Sequence, residues 1–309
     1  MSDAPSIVLT EVSKWYGDVL ACNEITATFG PGVTGLLGPN GAGKSSLIKV
    51  ITGMLAPSIG EVRLCGAPPF SSPHVMRRLG LVPEQDPIYP RATAYEVTAY
   101  LTRLHGFSAG AAAGAAKDAL ERVGLAGAMD RPVQGYSKGM RQRAKLAQAL
   151  AHGPDVLILD EPLNGLDPVG RREIVDLIKE LGAQGRCVLV SSHVLHEVES
   201  MTKRVLLMDH GRVIADGTLS ELRRDLSDRP STVRIEAGAP RDLATRLVGL
   251  EGVRRVELLP GGEGLLVLTA RPDELFGEVA RLVLEERADV RAFAPTDESL
   301  EAVFRYLTT

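Results

Sequence analysis

The sequence predicts an α/β protein in two parts: an open sheet interleaved with helices, then a small α+β unit. Three observations carry that prediction. An apolar run, Val33, Thr34, Gly35, Leu36 and Leu37, leads into GPNGAGKSS at residues 38–46, a glycine-rich turn that opens a helix. Residues 155–162, DVLILDEP, place four consecutive apolar residues before two carboxylates, the pattern of a strand buried on both faces. Past residue 231, strand-like and helix-like stretches alternate in the order βαββαβ.

A length of 309 residues fits about two domains, with ample apolar content for a core. No stretch approaches the ~20 uninterrupted apolar residues of a membrane span, and the opening MSDAPSIVL lacks the basic and apolar regions of a secretion signal. A cytoplasmic location is the resulting expectation. Acids and bases are interleaved and sum to a formal charge of −4, so electrostatics give no reason to expect nucleic acid as the main partner. Cys22, Cys65 and Cys187 are odd in number, far apart and set in apolar surroundings. Buried reduced thiols are expected of them, not a disulfide or a metal site.

Taken in order, residues 7–29 read as two strands joined at Tyr16, Gly17 and Asp18. Tyr16, beside Trp15, stands where an adenine ring could stack, although alone it reads as a surface aromatic at a hairpin. A helix is expected over residues 44–54, a turn at residues 57–60, a strand over 61–66 and another over 79–82. Pro83, Pro87 and Pro90 exclude a continuous helix or central strand from PEQDPIYP, which must be a loop. From residue 93 to about 151 the signal is helical. The Ala/Gly stretch 108–116 fits either a continued helix or a loose connection, and Gly124 is a plausible helix stop. Ser137 is a natural N-cap for the helix that follows, with Met140, Ala144, Ala147 and Ala151 on one face. Lys138, Arg141, Arg143 and Lys145 read as its solvated face. RCVLVSSH at residues 186–193 repeats the buried-strand pattern and ends in His193.

The residue types at the sheet edge point to phosphate chemistry. Gly38, Gly41 and Gly43 let successive N–H groups line one concave surface, to which Pro39, Asn40, Ala42 and Ser46 also belong. Lys44 can reach the β- and γ-phosphates, Ser45 can offer a hydroxyl to Mg²⁺, and the helix beginning there turns its positive end to the anion. Asp160 and Glu161 arrive at the C-terminal end of a buried strand, where open α/β sheets bind ligands. There Asp160 can hold Mg²⁺ and Glu161 can polarise the attacking water. His193 emerges at the same edge, which lifts it above an ordinary loop histidine.

In this combination and order, residues 7–226 resemble the nucleotide-binding subunit of ABC transporters. The resemblance implies a P-loop NTPase fold with an ABC-type helical subdomain at about 93–151, ATP and Mg²⁺ as cofactors, and ATP hydrolysis as the activity. It places adenine stacking on Tyr16, the phosphate loop on residues 38–46, the Mg²⁺ carboxylate on Asp160, the catalytic base on Glu161, the D-loop on Leu166 and Asp167, and the switch on His193. The signature falls on YSKGM, where Ser137 and Gly139 keep the donor positions and Lys138 and Met140 depart from the usual pattern, in a form familiar from export-type members. The family's Q-loop glutamine aligns best with Glu84, while Gln85 sits one place later, so a carboxylate or a shifted amide could meet the Mg²⁺ and water. The resemblance further implies a head-to-tail homodimer, each ATP lying between the phosphate loop of one chain and Ser137 and Gly139 of the other. It also implies separate membrane permease subunits that hold the protein against the inner face of the membrane. Two alternatives remain: an ATPase serving maturation of a periplasmic metalloenzyme, or a soluble ABC ATPase of DNA repair or translation.

Residues 227–231, SDRPS, read as a linker, which puts the ATP-binding domain at 1–226 and a second domain at 232–309. The βαββαβ order fits a ferredoxin-like layer, closed by a last helix over 298–307. No catalytic constellation is visible in that domain, and dimerisation or regulation is the expected role.

Overall fold

A computed structural model describes residues 6–85, 89–218, 220–221, 231–286 and 288–295. The chain divides into two compact units, Met1–Gly217 and Thr218–Thr309.

The first unit is built on a six-stranded sheet of order β5-β6-β7-β3-β8-β9. These strands are β3 (Gly32–Leu37), β5 (Leu79–Val82), β6 (Val156–Asp160), β7 (Cys187–Ser192), β8 (Arg204–Asp209) and β9 (Arg212–Thr218). All the pairings from β5 through β8 are parallel. A second sheet, order β2-β1-β4, is antiparallel and comprises β1 (Ile7–Tyr16), β2 (Val19–Phe29) and β4 (Ile59–Leu64). The strand over β6 is uniformly apolar because it serves two cores. Val156 and Ile158 pack on the side shared with β1, β2 and α1 (Lys44–Ile51), while Leu157 and Leu159 pack on the side of the helices. Each of these four side chains is fully buried, as period-two alternation between two covered faces requires.

The helices of this unit are α2 (Pro73–Met76), α3 (Ala94–Leu104), α4 (Ala109–Arg122), α5 (Lys138–Leu150), α6 (Pro168–Ala183) and α7 (Leu195–Met201). Several expectations are corrected. Helix α1 stops at Ile51, not residue 54, because Thr52 turns its hydroxyl back to Ile48 O and Gly53 takes φ 71°, which a side chain there would resist. The Ala/Gly stretch is a helix, α4, started by Ser108 accepting the Ala111 N–H, and it ends before Gly124 at φ 77°. The helical signal over 93–151 is three α-helices with a 3₁₀ turn at Val133–Gly135 between the last two. Strand β4 begins at Ile59, inside the expected turn.

The basic residues of α5 are not simply a solvated face. Lys145 is buried and donates to Pro83 O and Glu84 O, and Arg143 bonds Val123 O and Glu173. Cys22, Cys65 and Cys187 are free thiols. Cys22 and Cys187 are fully buried, which pushes their thiols up to about 11 and about 12, whereas Cys65 is only partly covered.

The second unit is a four-stranded antiparallel sheet of β10 (Ser231–Ala237), β11 (Val253–Leu258), β12 (Gly264–Thr269) and β13 (Val290–Pro295). Its order, β11-β12-β10-β13, with helices α8 (Pro240–Leu247) and α9 (Pro272–Glu286) in the two crossovers, is the ferredoxin-like arrangement. Val233, Ile235, Leu265 and Val267 meet Leu243, Leu247, Leu275 and Val279 of the helices in a separate core. The division falls at Gly217, nine or so residues before the expected linker, because β9 ends the first unit's sheet there. The linker at 227–230 and the helix expected over 298–307 lie outside the described residues.

Candidate functional site

The strand-to-helix turn after β3 gathers the first group. Gly38 lies so close to β8 that a Cβ would come within 2.4 Å of Met208 O, and at Gly43, with φ 101°, it would come within 2.3 Å of Ala21 O. Only glycine fits either place, so the loop is drawn tightly over the sheet edge and the N-terminus of α1 opens onto it. Pro39, Asn40, Gly41, Ala42, Ser45 and Ser46 complete the loop, tied by Ala42 N–H to Pro39 O at 3.1 Å and by Gly211 N–H to Ala42 O at 2.9 Å.

Lys44 is 6 % exposed and its Nζ folds back to donate to Gly38 O at 2.6 Å and Pro39 O at 3.1 Å. Burial lowers its affinity for a proton, and Glu161, Asp160 and Glu84, in that order, oppose the shift. A buried ammonium bonded to two carbonyls and within electrostatic reach of three carboxylates suits a phosphate, whose oxygens would accept from the same N–H donors.

The acidic pair is held by the neighbouring strand. Asp160 pairs with Ser191 in the β6–β7 register. Ser191 Oγ donates to Asp160 Oδ1 at 2.5 Å and accepts the Glu161 N–H at 3.0 Å, so one fully buried hydroxyl orients both residues. Glu161 sits at φ 50°, a left-handed conformation that costs a non-glycine residue ~1 kcal/mol or more. That turn is supported from behind by Gln142 of α5, whose Nε2 donates to Pro162 O at 2.9 Å. His193, beyond the end of β7, brings Nδ1 to 2.8 Å from Glu161 Oε1, a contact in which an Nδ1–H would donate to the carboxylate oxygen.

Ser137 caps α5 by accepting the Met140 N–H at 3.2 Å, and a Cβ on Gly139 would stand 3.2 Å from Gly165 O. The turn bearing Ser137 and Gly139 therefore packs directly on the turn that leads to Asp167. Asp167 itself caps α6 by accepting the Gly170 N–H at 3.2 Å. Glu84 and Gln85 follow β5 and are exposed. Tyr16 ends β1, is 43 % exposed, and has Lys14 Nζ 5.9 Å from its ring centroid. Among the described residues no three His, Cys, Asp or Glu converge as a metal cage. A hard divalent ion held by Asp160 and Ser45 would thus complete its shell with phosphate and water oxygens, the usual habit of Mg²⁺.

Gln142, Lys145 and Ser191 take part in this geometry without any mark in the sequence. No spacing rule marks them. A glutamine inside a helix and a serine inside a strand acquire meaning only when their partners, which are far away in sequence, are known.

An ABC transporter family profile matches residues 22–164. The chain is 35% identical over 307 residues to the Nod factor export ATP-binding protein I of Paraburkholderia xenovorans (strain LB400), covering 98% of this chain and 97% of that one. It is 35% identical over 284 residues to the daunorubicin/doxorubicin resistance ATP-binding protein DrrA of Streptomyces peucetius, covering 89% and 84%. Among solved structures, a dimeric bacterial ABC transporter cassette matches with TM-score 0.65 over 69% of this chain and 98% of its own, at 24% identity, a likeness of fold.

Proposed function

The chain belongs to the ATP-binding subunits of ABC transporters, and from that premise we propose that it works as a homodimer, with Mg²⁺, on the inner face of the cell membrane, energising export through a separate permease. The single observation that carries the reading is the convergence of Lys44, Asp160, Glu161 and His193 at one sheet edge, where Ser191 joins Asp160 to Glu161 and His193 meets the Glu161 carboxylate. Several of its relatives are named for export, which supports a separate permease as the partner; no helix among the described residues is long and apolar enough to cross a membrane.

In this reading the phosphate-loop N–H groups and Lys44 grip the triphosphate, with Lys44 exchanging its two carbonyl partners for phosphate oxygens. Ser45 and Asp160 would hold Mg²⁺, which neutralises charge on the β- and γ-phosphates. Glu161 orients and polarises the attacking water, and His193 keeps the Glu161 carboxylate in place through its Nδ1–H. Tyr16 stacks on the adenine, while Gln85 or Glu84 reaches the site from the strand next to Asp160. Ser137, Gly139 and Asp167 serve the nucleotide held by the partner copy, as their position on a turn apart from the phosphate loop supports.

Dilution tests the central claim. ATP turnover per molecule should fall steeply as the protein is diluted to monomer and recover on concentration. A strictly monomeric protein with a rate per molecule that stays flat would overturn the reading. Recovery of the chain with an integral-membrane protein of the same cell would support the permease, and exclusive association with DNA or ribosomes would favour the soluble alternative.

A further inference from the structure

The loop after β5 carries a departure that the phosphate site leaves unexplained. Strands β5 and β6 run parallel in register with Val82 opposite Leu159. Pro83 and Glu84 follow directly on Val82, as Asp160 and Glu161 follow on Leu159, so a third carboxylate-bearing residue leaves the sheet at the same edge. Nothing in the strand itself decides whether Glu84 or the next residue, Gln85, turns inward.

Helix α5 supplies that decision. Gln142 and Lys145 are three residues apart and so share one helix face. Gln142 holds the Glu161 turn through Pro162 O. Lys145, 4 % exposed, donates from Nζ to Pro83 O at 2.9 Å and to Glu84 O at 3.1 Å. A buried ammonium is costly unless well bonded, so these carbonyls are held firmly to the helix. With two consecutive carbonyls fixed on the α5 side, the direction in which the Glu84 Cα–Cβ bond leaves the loop is set by that backbone.

We propose that Lys145 is a positioning residue: it fixes the Pro83–Glu84 backbone to the helix that begins at Ser137, and so presents the Glu84 carboxylate, and not the Gln85 amide, to the phosphate-loop lysine and the triphosphate it grips. The influence of Glu84 on the charge of Lys44 supports this placement. The inference rests on the ATP-binding reading above. It also gives the helix of Ser137 and Gly139 a rigid link, within one chain, to both the Glu161 turn and the loop after β5.

Equilibrium titration of the full-length protein with a fluorescent ATP analogue, in EDTA and in excess Mg²⁺, tests it. Glu84→Gln should tighten binding in EDTA roughly fivefold, since one negative charge facing the triphosphate is gone, and the gain should shrink in Mg²⁺. Gln85→Ala should leave affinity unchanged in both. In a Lys145→Met background the Glu84→Gln effect should vanish, and in Lys145→Arg it should persist; the cycle cancels any direct effect of the lysine charge. A Glu84→Gln variant with unaltered affinity, a shift on Gln85→Ala, or an undiminished Glu84→Gln effect in the Lys145→Met background would each overturn the proposal. If Lys145→Met does not fold, the Glu84→Gln and Gln85→Ala pair still decides which side chain faces the nucleotide. A wild-type protein that binds no ATP would instead sink the parent reading.

Discussion

Replacing Ser191 by alanine removes one hydroxyl and leaves two buried groups without their partner: the Asp160 carboxylate, which accepted its O–H, and the Glu161 N–H, which it accepted. Losing a hydrogen bond to a charged group costs about 1.5–3 kcal/mol, and an orphaned buried N–H about 1–3 kcal/mol. Asp160 retains some access to water, so about 3 kcal/mol in total is a fair expectation. The only tryptophan, Trp15, lies in β1, so its fluorescence during urea denaturation reports on the first unit. With m near 2–3 kcal/mol per molar for a unit of this size, the midpoint should drop by about 1 M. The same change frees the Glu161 turn to relax from its left-handed conformation, so kcat should fall roughly tenfold or more while nucleotide affinity changes little. A midpoint shift equivalent to under about 0.5 kcal/mol, together with normal turnover, would refute the claim that Ser191 holds the acidic pair.

Glu161→Gln should bind ATP normally and turn it over at least about a hundredfold more slowly, measured by phosphate release; normal turnover would remove Glu161 from the role of base. Lys44→Ala should raise the dissociation constant for a fluorescent ATP analogue about tenfold or more, because a buried charge-assisted donor to phosphate is lost. Acid should weaken the fold through His152, whose Nε2 donates to Leu79 O while its buried Nδ1 has no partner and His105 stacks on the ring at 3.7 Å. Burial first, then His105 and Arg186, push its pKa down to about 4 from 6.5, against the opposing Leu79 bond. The folded state therefore binds fewer protons than the unfolded one, so this stabilisation is complete above about pH 6.5 and is lost as pH falls toward 4, by about 3 kcal/mol at most and about 2 kcal/mol of it by pH 5. Denaturation midpoints between pH 7 and 5 should show that loss in the wild type and a smaller one in His152→Gln.

Much of the site can be read in the sequence because it consists of local patterns. A glycine turn between strand and helix, two carboxylates after four buried apolar residues, and a histidine after another such strand each announce their place at a sheet edge. The βαββαβ alternation likewise foretells the ferredoxin-like order, since short connections leave few ways to pack four strands under two helices. The basic residues of α5 show where this fails. Arg143 and Lys145 look alike in sequence, yet Lys145 is buried against a loop sixty or so positions away and Arg143 is only partly covered.

By itself, then, the sequence determined which residues gather at the candidate site, because hydrophobic burial on both faces of β6 and β7 forces their ends to a common edge. Only the tertiary structure decided how those groups are aimed. The hydroxyl of Ser191 between Asp160 and Glu161, the amide of Gln142 behind Pro162, and the ammonium of Lys145 on Pro83 and Glu84 are bonds between segments distant in the chain. Such bonds depend on the registers and helix placements that packing creates, and no periodicity in the chain records them.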